Sequence, residues 1–575
     1  MVTSQKPGGK PGFTGSEFQA IHSRMAGMQN TVDVGFEIPQ EQRTPLVESL
    51  LRVIQDLKLA NQELLRVQQD QQRKIDSLTQ EINRLKGLPE KPKRQPSTLN
   101  DPQGKPSQVD HPTPPAAPAK RPGSAKRHKT AELVIHNSVI LEPLLLPEGA
   151  QLQGYRDFVV QDLKIESFNT CYRRAKYQLA DGSYLTAPLP EHVRGHFGPK
   201  LRAYVLYQHH HNQVTQPLLH EELTDFGIDI SVGQIDHLLT YGHESFHAEK
   251  DQLLPTAREV SAYLHTDDTS AKHRGKPGHT LHIGNEFFAS FFTTDTKSRV
   301  NFLKILLAPH TEYTLNHDAL FYADCLGVSE RLRKQMDCSN PRVIPTDEAW
   351  ETQLQDWKIT AEEPRRILTE AALWASLLQY DFYTHVVFLS DDAKQFQILG
   401  FLHALCWVHA ERHVAELIPF TPAERAAQER VRDEIWTYYQ RLKAYRQAPT
   451  AADQAELECE FDRLFQQDSG WAELDVALCK IHDRRERLLL VLEYPQIPLH
   501  NNLSENDIRQ SVKKRKISSG TRSDLGRRCR DTFLSLKTTC RKLGHRFWDY
   551  LLDRFQGVSN IPPLPDLIRQ RAAAN

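Results

Sequence analysis

Three acidic residues are spaced so that the fold could gather them for metal-assisted chemistry at phosphorus. Asp267 lies in Tyr263-Leu264-His265-Thr266-Asp267-Asp268-Thr269. Asp391 lies in Val386-Val387-Phe388-Leu389-Ser390-Asp391-Asp392, and Glu505 in Asn501-Asn502-Leu503-Ser504-Glu505. The first two close short apolar runs, the pattern of a carboxylate at the tip of a core strand. The third opens a polar helix. Carboxylates brought together from separate elements can hold two Mg²⁺ ions side by side, one activating an attacking oxygen and the other stabilising a leaving one. Mg²⁺ takes a few carboxylates plus water and substrate phosphate, so three acids suffice, and Mn²⁺ accepts the same donors. Asp268 and Asp392 follow two of these acids directly. Each reads either as a supporting or alternative ligand or, preferably, as a solvated turn residue.

The elements that must position these acids follow from the hydrophobic pattern. Val260 to His265, Gly278 to Ile283 and Phe287 to Thr293 read as three consecutive strands of an antiparallel meander, followed by a helix from Ser298 to Leu307. Val386 to Leu389 is short and wholly apolar, as a buried central strand is. Ala404 to Val408 reads as a fifth strand. From its end His409 would emerge near Asp391, with Arg412 beyond, to contact a scissile phosphate or orient a carboxylate; a core histidine is the alternative. Cys406 reads as a small buried residue. First strand, fourth strand and late helix each bearing an acid describe an α/β, ribonuclease-H-like core: a mixed five-stranded sheet with flanking helices, interrupted by helical insertions.

Ahead of this core, residues 1–40 read as a mobile tail. Residues 41–88 carry a heptad, with Val47, Ile54, Asn61, Gln68, Ile75 and Ile82 in one column and Leu50, Leu57, Leu64, Gln71, Leu78 and Leu85 in the other. That seam predicts a parallel coiled-coil homodimer, with Asn61 fixing register. Residues 89–130, with ten prolines and a net charge of +6, form a basic linker. Residues 131–257 read as a DNA-binding region. Its first part, 131–200, is β-rich with an Asp181-Gly182 hairpin turn. Helices Pro217 to Phe226 and Val232 to Leu239 then form a helix–turn–helix broken at Gly227 and N-capped by Ser231. His209, His210 and His211 read as an exposed loop. The core itself falls in three parts, 258–307, 383–412 and 495–526, separated by insertions at 308–382 and 413–494, with closing helices at 527–575.

The whole chain of 575 residues has a formal charge of −1, yet residues 509–546 hold thirteen Lys/Arg against two Asp/Glu. Arg509, Lys513, Lys514, Arg515, Lys516, Arg522, Arg527, Arg528 and Arg530 in this zone read as phosphate contacts for DNA, which give affinity without sequence readout. The eight cysteines form no C-x-x-C pair, against a disulfide framework or zinc ribbon. No signal peptide or membrane span is legible, so the expectation is a soluble intracellular protein.

In these motifs the chain resembles the larger, catalytic transposase of the insertion-sequence-sixty-six family of bacterial DDE transposases. The resemblance is carried in order by Ala187-Pro188-Leu189-Pro190, Leu218-Leu219-His220-Glu221-Glu222, His265-Thr266-Asp267, Thr293-Thr294-Asp295-Thr296-Lys297-Ser298-Arg299 and Leu389-Ser390-Asp391. Its most specific parts are Cys406-Trp407-Val408-His409-Ala410-Glu411-Arg412 and Asn501-Asn502-Leu503-Ser504-Glu505. The resemblance implies that Asp267, Asp391 and Glu505 are the metal-binding triad. It implies an enzyme that cuts double-stranded DNA at an element's terminal inverted repeats and transfers the freed 3′-OH into target DNA. Small accessory proteins and a place in the bacterial cytoplasm, with the nucleoid, come with it. Three features depart from the family. Only Cys171 stands where the family has a cysteine-rich zinc module, so no structural zinc is expected; 308–382 is longer than the usual connection; and a Gly-Tyr after the second acid is missing. A DNA-binding relative without catalysis, or a ribonuclease-H-like nuclease without strand transfer, are the alternative readings.

Overall fold

The computed structural model describes residues 134–142, 150–156, 158–190, 195–336, 340–381 and 385–574. The expected tail, coiled coil and basic linker lie outside the described residues. The centre of the fold is a five-stranded sheet in the order β5-β4-β3-β8-β9. Its strands are β3 (Tyr263–His273), β4 (Lys276–Gly284), β5 (Ala289–Thr294), β8 (Val387–Ser390) and β9 (His403–Leu405). β3, β4 and β5 are antiparallel to one another, while β8 runs parallel to β3 and β9 parallel to β8. The sheet is therefore mixed, as the ribonuclease-H-like reading expects. β8 is buried at all four positions, which accounts for its unbroken Val-Phe-Leu run.

Three strand expectations need correction. β3 does not end near Asp267 but continues to His273, and a two-residue turn at Arg274 and Gly275, with φ of +50° and +78°, returns it into β4. Two consecutive left-handed residues match the twist of a tight hairpin. The polar residues past Asp267 belong to this extension, whose end is tied to Thr521 through the Lys272 carbonyl and the Arg274 amide. The fifth strand is shorter than expected. It stops at Leu405, and Trp407 already begins a helix whose Trp407 amide bonds the Leu499 carbonyl. Residues 131–200 are less β-rich than expected. Among the described residues there, the strands are β1 (Lys176–Gln178) and β2 (Tyr184–Thr186), joined through Asp181-Gly182.

Helices complete the fold. The pair α1 (Gln216–Asp225) and α2 (Val232–Thr240) is joined through Gly227, and a capping box between Ser231 and Gln234 starts α2. Just upstream, His209 to His211 do not form an exposed loop. They close a π-helical turn, Tyr207–His211, in which His210 is buried against the Phe533 ring. The stretch 308–382 contains a small two-stranded sheet, β6 (Tyr313–Leu315) with β7 (Arg342–Ile344). It also contains helix α3 (Glu362–Gln379), with its buried stripe from Ile367 to Leu377. Helix α4 (Trp407–Ala415) follows β9, and long helices, Pro422–Gln447 and Ala451–Phe465 among them, follow α4. Helix α5 (Asn502–Ser518) carries Glu505, and α6 (Asp524–Lys542) packs along β5. No helix among the described residues is long and apolar enough to cross a membrane.

The contact between α6 and β5 resolves an edge problem. An outer strand leaves alternate amides unpaired. Here Asp531, Ser535 and Thr539, each four residues apart on α6, accept the amides of Thr293, Phe291 and Ala289, each two residues apart on β5, at 2.7, 2.9 and 3.1 Å. One helix face thus takes the place of a sixth strand, because four helical residues advance about as far as two strand residues.

Candidate active site

Asp267, Asp391 and Glu505 reach one region from three elements. β3 and β8 pair Tyr263 with Val387, Leu264 with Phe388 and His265 with Leu389. The recorded pairing ends at His265 and Leu389; Asp267 lies two residues further along β3, and Asp391 is the residue directly after the end of β8. Glu505 sits in the first turn of α5, which packs against β3 and β4. Asp267 feels both of the other acids. Burial first, and then Asp391, Asp268 and Glu505, raise the Asp267 pKa to about 7, against a bond from the Asp268 amide that lowers it.

Several atoms in this region lack protein partners. Glu505 Oε1 and His409 Nδ1 are buried without a hydrogen-bond partner. His409 Nε2 stands 3.9 Å from Glu505 Oε1. Burial, followed by the Arg412 charge, lowers the His409 pKa, which favours the neutral ring. His409 and Arg412 both lie on α4 rather than at a strand end. A cavity of about 230 Å³ opens beside Asp391, lined by Cys406, His409, Arg412, His413 and Arg484 among others. Among the described residues no three His, Cys, Asp or Glu side chains are gathered so as to grip a single ion. The donor set is nevertheless one of carboxylate oxygens that repel one another and include an unpartnered buried atom. That suits a pair of hard cations, each bound by one or two carboxylates and completed by water and phosphate oxygens.

The two neighbouring acids have partners of their own. Asp392 accepts from Arg484 Nε at 2.5 Å, Arg487 Nη1 at 2.7 Å and Gln397 Nε2 at 2.9 Å. Burial alone would raise its pKa, but the two arginines more than offset this and hold it below the usual range. The expected solvated turn is therefore an anchor for the 480s segment. Asp268 accepts from Gln395 Nε2 at 2.6 Å and lies 3.1 Å from Lys297 Nζ.

Residues 360–528 match the family described as "Transposase IS66 family". The chain is also similar to the "Uncharacterized protein y4jO" of Sinorhizobium fredii (strain NBRC 101917 / NGR234), 41% identical over 318 residues, 54% of this chain and 98% of the relative. The chain belongs to the IS66 transposase family. The matched stretch holds Asp391, the Cys406 to Arg412 run and Glu505, while Asp267 lies upstream of it.

Within this family member the nine basic residues expected to meet DNA divide sharply. Arg509, Lys513, Lys516 and Arg522 are exposed. Arg509 bonds Asn506 at 2.9 Å, and the other three make no ion pair among the described residues. Lys514 is a correction. It is buried, donates to the His209 carbonyl at 2.8 Å, and burial followed by the Arg530 and Lys537 charges lowers its pKa to about 7. Lys537, not anticipated from sequence, does the same for the His210 carbonyl at 3.0 Å. Arg515 bonds the Ser270 carbonyl and the Thr269 hydroxyl. Arg527 pairs with Asp295 at 3.1 Å, Arg528, also exposed, lies 3.6 Å from Asp251, and Arg530 donates to the Ser519 and Gly520 carbonyls. The helix pair α1 and α2 carries no Lys or Arg, but Glu221, Glu222, Asp225 and Asp236. That charge is wrong for a groove lined with phosphates.

Proposed function

We propose that this protein is a DNA transposase with a ribonuclease-H-like catalytic core, in which Asp267, Asp391 and Glu505 hold two Mg²⁺ or Mn²⁺ ions. The observation that carries the reading is the placement of three carboxylates: Asp267 on β3, Asp391 directly after β8, and Glu505 in the first turn of α5, which packs against β3. The membership in a transposase family gives this cluster its substrate class. When bound there, the cations would supply activation of an attacking oxygen and neutralise charge developing at phosphorus.

The chain's own residues do the rest. Asp267 on β3 and Asp391 just past β8 would offer oxygens to a shared site, and Glu505 would close the set from α5. His409, held neutral, stands beside Glu505 on the side toward the cavity at Asp391, where it can orient that carboxylate or meet a phosphate oxygen. Arg509, Lys513 and Lys516 continue outward along α5, with Arg522 beyond its end, and would carry the DNA backbone away from the acids without reading sequence. DNA of the element's terminal repeats is the cleavage substrate, and target DNA receives the freed 3′-OH.

The test is Mg²⁺-dependent nicking of DNA bearing the repeats that flank the gene. Asp267→Asn, Asp391→Asn and Glu505→Gln should each abolish nicking and leave DNA binding intact. Joined products with target DNA distinguish strand transfer from plain nuclease action. An active triad variant would remove that residue from the site.

A further inference from the structure

Asn501 is an N-cap residue that does not cap. It stands 1% exposed at the start of α5, and its side chain makes no bond to the first turn. Asparagine at such a position ordinarily accepts from an amide two or three residues on. Here Oδ1 accepts from His265 Nδ1 at 2.7 Å, and Nδ2 donates to the Thr266 carbonyl at 2.9 Å. Only the amide nitrogen can donate to a carbonyl, so the oxygen faces the ring and His265 carries its proton on Nδ1. Both partners lie on β3 immediately before Asp267.

The backbone of the same residue reaches the other two acids. Its N–H donates to Cys406 Sγ at 3.3 Å. The Cys406 N–H in turn donates to the Ser390 carbonyl at 3.0 Å, and Ser390 precedes Asp391. The Asn501 carbonyl accepts the Glu505 amide at 3.1 Å, the first helical bond of α5. One buried side chain and its peptide groups therefore touch, directly or through a single residue, the segments that carry Asp267, Asp391 and Glu505.

We propose that Asn501 is the positioning residue of the cation site, fixing the spacing of the three carboxylates by linking Thr266, Cys406 and Glu505 through its own hydrogen bonds. The inference rests on the assignment of those acids to a cation site and adds the group that sets their geometry. An acid-only site would lose its geometry one ligand at a time. Loss of the Asn501 side chain disturbs the Asp267 side relative to Glu505 while removing no ligand.

Mn²⁺ binding to the full-length protein, read by electron paramagnetic resonance of the free ion, tests this, with thermal unfolding recorded in parallel. Asn501→Ala should weaken Mn²⁺ by about 10- to 100-fold, the usual scale for groups that orient metal ligands. Asn501→Ser should weaken it comparably even though serine can restore the missing cap and preserve stability. A merely structural role predicts the opposite pattern for serine, wild-type stability with wild-type Mn²⁺ affinity, and that result overturns the proposal. Cys406→Ala removes one arm and should give a smaller loss. If the Asn501 variants do not fold, unchanged Mn²⁺ affinity in Cys406→Ala overturns it instead. Wild-type protein that binds no Mn²⁺ contradicts the cation site itself, whereas wild-type binding with an unaffected Asn501→Ser contradicts only the positioning role.

Discussion

Asp267 on β3 and Asp391, the residue directly after β8, follow two neighbouring parallel strands whose pairing runs to His265 and Leu389. Burial and the charges of Asp391, Asp268 and Glu505 oppose ionisation of Asp267, a cost to folding that a cation would relieve. Their arrangement therefore makes statements about stability as well as catalysis.

The first concerns pH. The folded-state pKa of Asp267 is raised to about 7, by burial first and the neighbouring acids after it. Its unfolded value is that of an ordinary carboxyl. Between those two values the folded state binds more protons than the unfolded one, so stability falls as pH rises through the window and the full penalty is present above it. Asp267→Asn should thus stabilise the metal-free protein at pH 8, on the order of 1–3 kcal/mol, and much less at pH 4. Mg²⁺ should raise the melting temperature of the wild type at pH 8 more than that of the variant. Differential scanning calorimetry at the two pH values checks both.

The second separates adjacent acids. Asp392→Asn breaks a pair of arginine contacts that tie the 480s segment to the end of β8. All three side chains are partly exposed, so the expected loss is on the order of 1 kcal/mol. Mn²⁺ binding should persist, whereas Asp391→Asn, one residue away, should lose it. Denaturant unfolding and Mn²⁺ titration of the two variants give the comparison.

The third concerns DNA. Lys513→Ala and Lys516→Ala should each lower DNA affinity and reduce the slope of log affinity against log salt by about one. Lys514→Met should leave both unchanged, since its ammonium already serves the His209 carbonyl inside the protein. Fluorescence anisotropy over a salt series distinguishes the two outcomes.

The fourth concerns the sheet edge. Ser535→Ala removes the acceptor of the buried Phe291 amide and should cost about 1–3 kcal/mol, the penalty of an unsatisfied buried donor. Hydrogen exchange at Phe291 should accelerate more than at amides of β8.

The parts of this molecule that were legible in its sequence are those with local signatures. The runs of β4, β5 and β8 marked their strands, and Ser231 and Ser298 marked helix starts at which both side chains do cap. The part of β3 beyond Asp267 was not legible, because Thr269, Ser270 and Lys272 lack the apolar signal of a core strand and their strand is held by the distant Thr521 segment. Lys514 could not be told from Lys513 and Lys516 in a basic run, since burial of one depends on carbonyls presented by a π-helical turn far upstream. The α6 ladder was hidden for the same reason. Asp531, Ser535 and Thr539 look like a solvated stripe until an edge strand is laid against them. Asn501 was visible as part of a motif, but its bonds to residues more than 200 positions away exist only once the sheet is assembled.

The convergence of three distant segments on one cation site is tested most directly by replacing Mg²⁺ with Fe²⁺ and generating hydroxyl radicals at the bound ion with ascorbate. Radicals formed there cut the nearest backbone. The expected result is three clusters of chain breaks, near Asp267, Asp391 and Glu505, all suppressed by excess Mg²⁺ and all lost in Asp267→Asn. Breaks confined to one segment, or located elsewhere and insensitive to Mg²⁺, would contradict the shared site.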